Sequence, residues 1–304
     1  MRLLLQLMKD KLGAASLAVV AVILLIGICA PLIAPHDPNE VHMELRFAGS
    51  SWPYWLGNDH LGRCVLSRLI YGIRPSVLWV LAALAASGCM GAILGFMAGY
   101  FKGKWDALLM RICDCMLSFP GYVMTLAIIG MLGTGLGNIL IAFVLMKWAW
   151  FARVIRTAVL QYSDADYVRF AKTLGSGHFG IMTKHILPVA LPEIAVIFSS
   201  TFGSMILQIS GLSFLGLGIQ APHAEWGMML NEARPVMFSR PELMLAPGFA
   251  IIIVVSAVNF LSDSLQTALD PKLITASTRT KAQEGVILPK QRGKEASNTG
   301  HECA

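Results

Sequence analysis

The chain has 304 residues, of which 56% are hydrophobic and 14% charged, with a net charge of +6 and a mean hydropathy of +0.64. Soluble domains carry about 25% charged residues, so this balance excludes a soluble enzyme and a disordered regulator and leaves an integral membrane protein. The basic residues lie between apolar runs and in the tail, with no aromatic-studded basic face; that excludes a nucleic-acid surface and assigns them to orientation in lipid.

The first span is the uncharged run Gly13 to Ala34, behind the basic start Arg2, Lys9 and Lys11. Its apolar core is longer than that of a cleaved signal peptide, and Pro31 and Pro35 obscure any small-x-small exit. Ile28 before Cys29 does not fit a lipoprotein site. Residues 35–74 follow as an extracytoplasmic loop, with Trp52, Tyr54 and Trp55 suited to the headgroup level. The second run is Pro75 to Phe101. The third, Met116 to Met146, is longer than one span of about 20 residues and is interrupted by Gly133-Thr-Gly-Leu-Gly-Asn138. Segment 102–115 (Lys102, Lys104, Arg111) and segment 152–190 (Arg153, Arg156, Arg169, Lys172, Lys184) both read as cytoplasmic by the positive-inside rule. The third run must then cross twice, as a hairpin turning at the glycines. Lys147 falls near the inner end of the second arm, where its long stem lets it snorkel. The fourth run is Ile194 to Ala224 and the fifth Leu243 to Ser262, with a small outer loop from about Gln220 to Glu242.

The expected fold is an all-α integral membrane protein with six transmembrane helices and both termini cytoplasmic. Residues 1–34 hold the start and first helix, 35–74 the extracytoplasmic loop, 75–268 a five-helix core, and 269–304 a cytoplasmic tail expected to be disordered after 274.

The chemistry-bearing residues are sparse. Cys29, Cys64, Cys89, Cys113, Cys115 and Cys303 have no disulfide-framework spacing and read as reduced. Cys113-x-Cys115 lacks the second pair a metal needs, so no metal site is expected. Gly91, Gly95 and Gly99 form a small-residue ridge for close helix approach, for which bundle packing is a simpler reading than a dimer motif. Arg111, Asp114, Arg153 and Arg156 suit plain interface charges. An intramembrane enzyme is the alternative of a different class. No His-Glu-x-x-His pair exists, and Gly211-Leu-Ser213 has no histidine in a span to activate the hydroxyl. There is no Gly-x4-Gly-Lys-Ser/Thr loop for nucleotide phosphates. Charges in spans mark ion paths, and their scarcity argues against proton or sodium coupling, so the energy must come from a partner. Asn138, Gln208, Ser210 and Ser213 are polar groups in apolar runs, suited to lining a path or to bonding between helices.

The most informative stretch is Asp166 to Pro188. Tyr167, Phe170, Ala171 and Leu174 recur at i, i+3, i+4 and i+7, giving one apolar face on a short helix. Gly175 and Gly177 end it. Phe179, Ile181, Met182 and Ile186 continue a second short element until Pro188. Read alone, the stretch suits a docking surface for a soluble partner or an interfacial helix on headgroups.

It resembles the coupling loop of ABC importer permeases at Ala171, Gly175, Leu187 and Pro188, with Arg169 and Phe170 where the general pattern has Glu and Ala. Leu56-Gly-Asn-Asp-His-Leu-Gly-Arg63, Ser67-Arg68 and Gly72-x-Arg74-x-Ser76 resemble the signature before the second helix of peptide/nickel-type permeases. Later blocks match in order: Gly99-Tyr with Asp106, Asp114 and Pro120; Trp148 with Ala152-Arg153 and Arg156; Leu212-Ser-Phe-Leu-Gly-Leu-Gly218 with Pro222 and Trp226-Gly227; and Leu269-Asp-Pro-Lys-Leu273. Cys64 replaces the usual Asp after Gly62-Arg63.

The resemblance implies the type I (MetI-like) ABC importer permease architecture, in a C-type subunit of the bacterial cytoplasmic (inner) membrane. It implies a second homologous permease, two cytoplasmic ATPases that bind ATP and Mg, and an extracytoplasmic solute-binding protein. This chain would hold no cofactor and would not be an enzyme; its coupling loop, at about 163–190, would ride on an ATPase. Trp148-Ala-Trp-Phe-Ala-Arg153, Leu132-Gly-Thr-Gly-Leu136 and Ala224-Glu-Trp-Gly-x-Met-x-Asn-Glu-Ala-Arg234 look closer to nickel permeases than to peptide ones. Many peptide-type relatives have an acidic residue where Ile209 stands. The implied cargo is nickel or a nickel/metal chelate, with a dipeptide or oligopeptide as the alternative.

Overall fold

The computed structural model describes residues 10–269. The tail beyond Leu269, with the order expected of it, and the basic start at Arg2 and Lys9 lie outside the described residues.

Helix α1 (Lys11–Ile28) begins at Asp10, whose carboxylate accepts from the Leu12 N–H at 3.2 Å and from the Ser264 hydroxyl at 2.6 Å. The chain breaks at Cys29 into a short α2 (Ala30–Ile33) with Pro31 in its first turn. A long loop then leads to α3 (Val65–Ile73), which runs through a wide π turn (Arg74–Leu78) into α4 (Trp79–Phe101). Residues 65–74, part of the expected extracytoplasmic loop, are therefore helical. Their charges are met inside the fold: Arg74 donates to the carbonyls of Gly27 and Ile28, at 2.9 and 3.1 Å. The π turn accommodates Pro75, which has no N–H to give an ordinary helical bond.

Helix α5 (Gly103–Leu117) and α6 (Gly121–Leu132) meet at an 84° bend over Ser118–Pro120. The uncharged run from Met116 is thus not one straight arm, because Pro120 cannot continue α5. Alone, α6 is only about 18 Å long, and it passes as a candidate span only when taken together with α5. The hairpin turn expected at Gly133 is present: Gly133 and Gly135 have φ of 89° and 140°, and α7 (Leu136–Ser163) follows.

Next come α8 (Asp166–Thr173), α9 (His178–Ile181), a second π turn (Met182–Ile186) and α10 (Leu187–Phe214). Pro188 does not end the second short element. It sits in the first turn of α10, where a missing N–H costs nothing, and the helical path continues from His178 to Phe214. Helix α10 stops at Phe214, well before Ala224, and the chain turns at Gly216 with φ of 81°. Helix α11 (Trp226–Ala233) and α12 (Glu242–Leu269) complete the described chain.

Five helical stretches among the described residues are long and apolar enough to cross a membrane, or six if the bent α5–α6 pair is one span; no β-strand occurs among the described residues. The tightest seam is α4 on α7. A Cβ on Gly91 would lie 2.4 Å from the Phe151 Cβ, one on Gly95 2.5 Å from the Ala152 carbonyl oxygen, and one on Gly99 2.9 Å from that of Arg156. Helix α5 is tied to the same helix by Arg153 with Asp114 and Arg156 with Asp106, so those charges pair within the chain.

Candidate functional site

Two charged or apolar constructions stand out, at opposite ends of α7 and α10. The first is the α8–α9 pair. Asp166 lies in the first turn of α8 and Lys172 in the last, as the helix dipole favours. At its end the Gly175 N–H donates to the Lys172 carbonyl at 3.0 Å and the Ser176 N–H to that of Ala171 at 3.1 Å, a Schellman motif with Gly175 at φ of 80°. Val168, Ala171, Ile181 and Ile186 are buried in the main core and moor the pair to the bundle. Further ties come from the Tyr100 hydroxyl with His178 Nδ1 at 2.8 Å, and from Lys102 with Asp164 at 2.8 Å. The Lys102 ammonium holds the Asp164 carboxyl below its ordinary range.

The single apolar face expected on α8 is divided. Ala171 turns inward with Val168, a partner that the i, i+3, i+4 pattern passed over, while Tyr167, Phe170 and Leu174 turn outward. Phe170, Leu174 and Phe179 are 65%, 70% and 80% exposed, three large apolar side chains on a rigid support. Of the four expected coupling residues, Ala171 moors the helix, Gly175 forms the turn with nothing within 4 Å of its missing Cβ, and Leu187 and Pro188 stand exposed at the start of α10. The projecting phenylalanines carry the surface itself, and only the absence of buried neighbours distinguishes them from core.

The second construction joins the long loop to α11. Arg63 and Arg68 are each 1% exposed. Asp59 Oδ2 accepts from Arg63 Nε at 2.7 Å and Arg68 Nη1 at 3.0 Å; Glu232 Oε2 accepts from Arg63 Nη2 at 2.9 Å and Arg68 Nη2 at 2.7 Å. Asp59, His60 and Glu232 also bring potential ligand atoms within 4.8 Å of one another. Both carboxylates are already engaged by buried guanidiniums, so a divalent cation there would face two fixed positive charges. The arrangement fits a charge-neutral structural lattice.

Beside it, the wholly buried Glu225 caps α11, accepting from the Gly227 and Met228 N–H groups at 2.9 and 2.8 Å and lying 3.1 Å from the Ser76 hydroxyl. Burial pushes its carboxyl above the ordinary range, against the opposing pull of those bonds. Trp226 Nε1 donates to the Leu69 carbonyl at 3.0 Å, and Gly72 is open because a Cβ there would lie 2.8 Å from the Trp226 ring. The blocks around Arg63, Ser76 and Trp226, far apart in sequence, are thus one assembly.

Of the path candidates, Asn138 donates its amide to the carbonyls of Leu132 and Gly133, closing the α6–α7 turn. Ser210 and Ser213 are buried beneath α11, where Ser210 backbone meets Gly227 and Ser213 lies against Gly218. Gln208 is half-buried on α10. The α11 end also holds a cavity of about 560 Å³, lined in part by Tyr71, Arg74, Trp79, Gln220 and His223.

Five or six apolar spans with a pair of short helices held out at one end define an all-α, multi-pass membrane protein. The chain belongs to the family described as binding-protein-dependent transport system inner membrane component, matched over residues 91–275. Residues 2–49 match the N-terminal transmembrane domain of oligopeptide transport permease C. The metal-staphylopine import system permease protein CntC of Staphylococcus aureus is 54% identical over 287 residues, covering 94% of this chain and 99% of that protein. The nickel transport system permease protein NikC of Escherichia coli is 36% identical, with 86% and 94% covered. The dipeptide transport system permease protein DppC of Alkalihalophilus pseudofirmus is 39% identical, with 88% of each covered. The chain is accordingly a permease of the peptide/nickel family of ABC importers in the inner membrane, and ATP hydrolysis belongs to separate subunits.

Proposed function

We propose that this chain forms, with a second homologous permease, the path by which a chelated divalent metal, nickel in particular, enters the cell. The observation that carries this reading is the 54% identity, over nearly the whole of both chains, to a permease named for metal-staphylopine import. The nickel permease supports it over a similar span. A dipeptide cargo is the second reading, favoured by the 39% identity to a dipeptide permease.

In this reading both termini and the α8–α9 pair face the cytoplasm, consistent with the positive charge of segments 102–115 and 152–190. Phe170, Leu174 and Phe179 enter a groove of one of two cytoplasmic ATPases, which bind ATP and Mg, and closure of the ATPases moves the helices. The α11 end receives the extracytoplasmic solute-binding protein. Radiolabelled nickel uptake in cells with and without this gene, presented with staphylopine and in parallel with a labelled dipeptide, tests the reading. Loss of nickel uptake alone is expected; loss of dipeptide uptake alone would overturn the cargo and leave the architecture standing.

A further inference from the structure

Lys147 lies well inside α7, not at its end. It comes eleven residues after the start of α7, about 16 Å along the axis, and the helix continues beyond it to Ser163. Side chains on a helix tilt toward its N-terminus, which carries this ammonium away from the α8–α9 end. The other two cations of α7 are paired, Arg153 with Asp114 and Arg156 with Asp106. Among the described residues Lys147 has neither an ion pair nor a hydrogen bond.

Its face of the helix is also distinctive. Lys147, Trp150, Val154, Thr157 and Gln161 follow one another at spacings of three and four, and each is half-buried or exposed. Lys147 sits at the edge of that stripe: Phe143 and Phe151, four residues before and after it on the same side of the helix, are buried against the chain's own helices, and Lys147 itself is half-buried. The subunit therefore covers the charge within its span only in part, at the border of a stripe it leaves bare. A lysine facing hydrocarbon is strongly disfavoured, and charged side chains in spans face protein or a water-filled cavity and mark substrate pathways.

We propose that Lys147 lines the translocation path and binds a carboxylate of the cargo in transit; the inference rests on the proposed importer reading. Small chelators hold divalent metals through oxygen and nitrogen donors, carboxylates among them, and so present oxyanions to the path. Lysine is a flexible point charge that engages an oxyanion without the fixed fork of arginine, which suits a contact that must form and release within one transport cycle.

The test uses the complete importer, with both permeases, the ATPases and the binding protein, carrying Lys147→Met or Lys147→Arg. Three quantities are read: uptake of radiolabelled nickel presented with staphylopine, co-purification of the subunits, and basal ATP hydrolysis. Lys147→Met is expected to lower uptake about tenfold, the scale of one lost charged hydrogen bond, with assembly and basal hydrolysis unchanged, and Lys147→Arg to keep most of it. Uptake by Lys147→Met within about twofold of the parent, as for a solvated charge, would overturn the proposal. So would loss of the second permease on purification, which would assign Lys147 to a carboxylate of that subunit. If the unaltered importer carries no nickel, the cargo reading fails by itself, and the same two variants are scored on dipeptide uptake, whose substrate also ends in a carboxylate.

Discussion

A methyl group on Gly95 would meet the Ala152 carbonyl oxygen at 2.5 Å, and backbone cannot rotate aside as a side chain can. Gly95→Ala should therefore cost about 1–3 kcal/mol or more through overpacking of the α4–α7 seam, seen as a lower melting temperature and less monodisperse protein in detergent. Gly137 has nothing within 4 Å of its missing Cβ and lies in the first turn of α7, so Gly137→Ala is the matched control. It should be neutral or gain up to about 1 kcal/mol of helix propensity. Glu225 gives a different kind of prediction. Its raised carboxyl means that the folded chain holds the proton more tightly than the unfolded one. The stability it contributes is full below the ordinary glutamate value and is lost as pH rises through the raised one. Glu225→Gln should flatten that decline in a melting series against pH. It should also lower stability by about 1–3 kcal/mol at acid pH, because an amide N–H₂ would confront a backbone N–H that now has an acceptor.

At the scale of elements, the α8 terminus is the most exposed to test. Its Schellman turn needs a left-handed residue at Gly175, where a β-branched side chain is disfavoured by about 1–2 kcal/mol. Since a Cβ at Gly175 would meet nothing within 4 Å, Gly175→Val should leave membrane insertion and assembly intact while re-aiming Phe170 and Leu174. Cargo uptake should fall several-fold with ATP hydrolysis continuing, and normal uptake at normal expression would refute the role given to the turn. The same glycine was legible from the sequence because helix termini have local chemistry. The π turns at Arg74 and Met182 were not, since a wide turn depends on how the flanking helices pack. Pro188 read as a stop for the same reason: a proline within a helical path is tolerated in a first turn, and nothing local says where a first turn falls.

Across the whole molecule, the runs of uncharged residues and the glycine hairpin were readable because lipid imposes them residue by residue. What the sequence withheld were the partnerships over distance. Asp114 stands three residues from Arg111 and suggests a local pair, yet it meets Arg153. Arg63, in the long loop, and Arg68, in α3, both meet Glu232 far along the chain and are buried there. Lys147 stands at the end of an apolar run, yet α7 continues past it to Ser163, which the run of uncharged residues alone does not show.

The buried lattice has a mechanical consequence. Asn231 donates to the Phe214 carbonyl at 2.6 Å, and Gly227 is pressed against Ser210, so the last turns of α10 are clamped to α11; Glu232 and Trp226 in turn clamp α11 to α3. At the other end of α10, about 42 Å away, the α8–α9 pair offers its three bare apolar side chains. Pushed at that tip, as the proposed coupling requires, a rod fixed at the other would have a fulcrum and a lever arm. A displacement of a few ångströms at the driven tip shrinks in proportion along the rod, so the largest excursion falls near the driven end and almost none at the pivot.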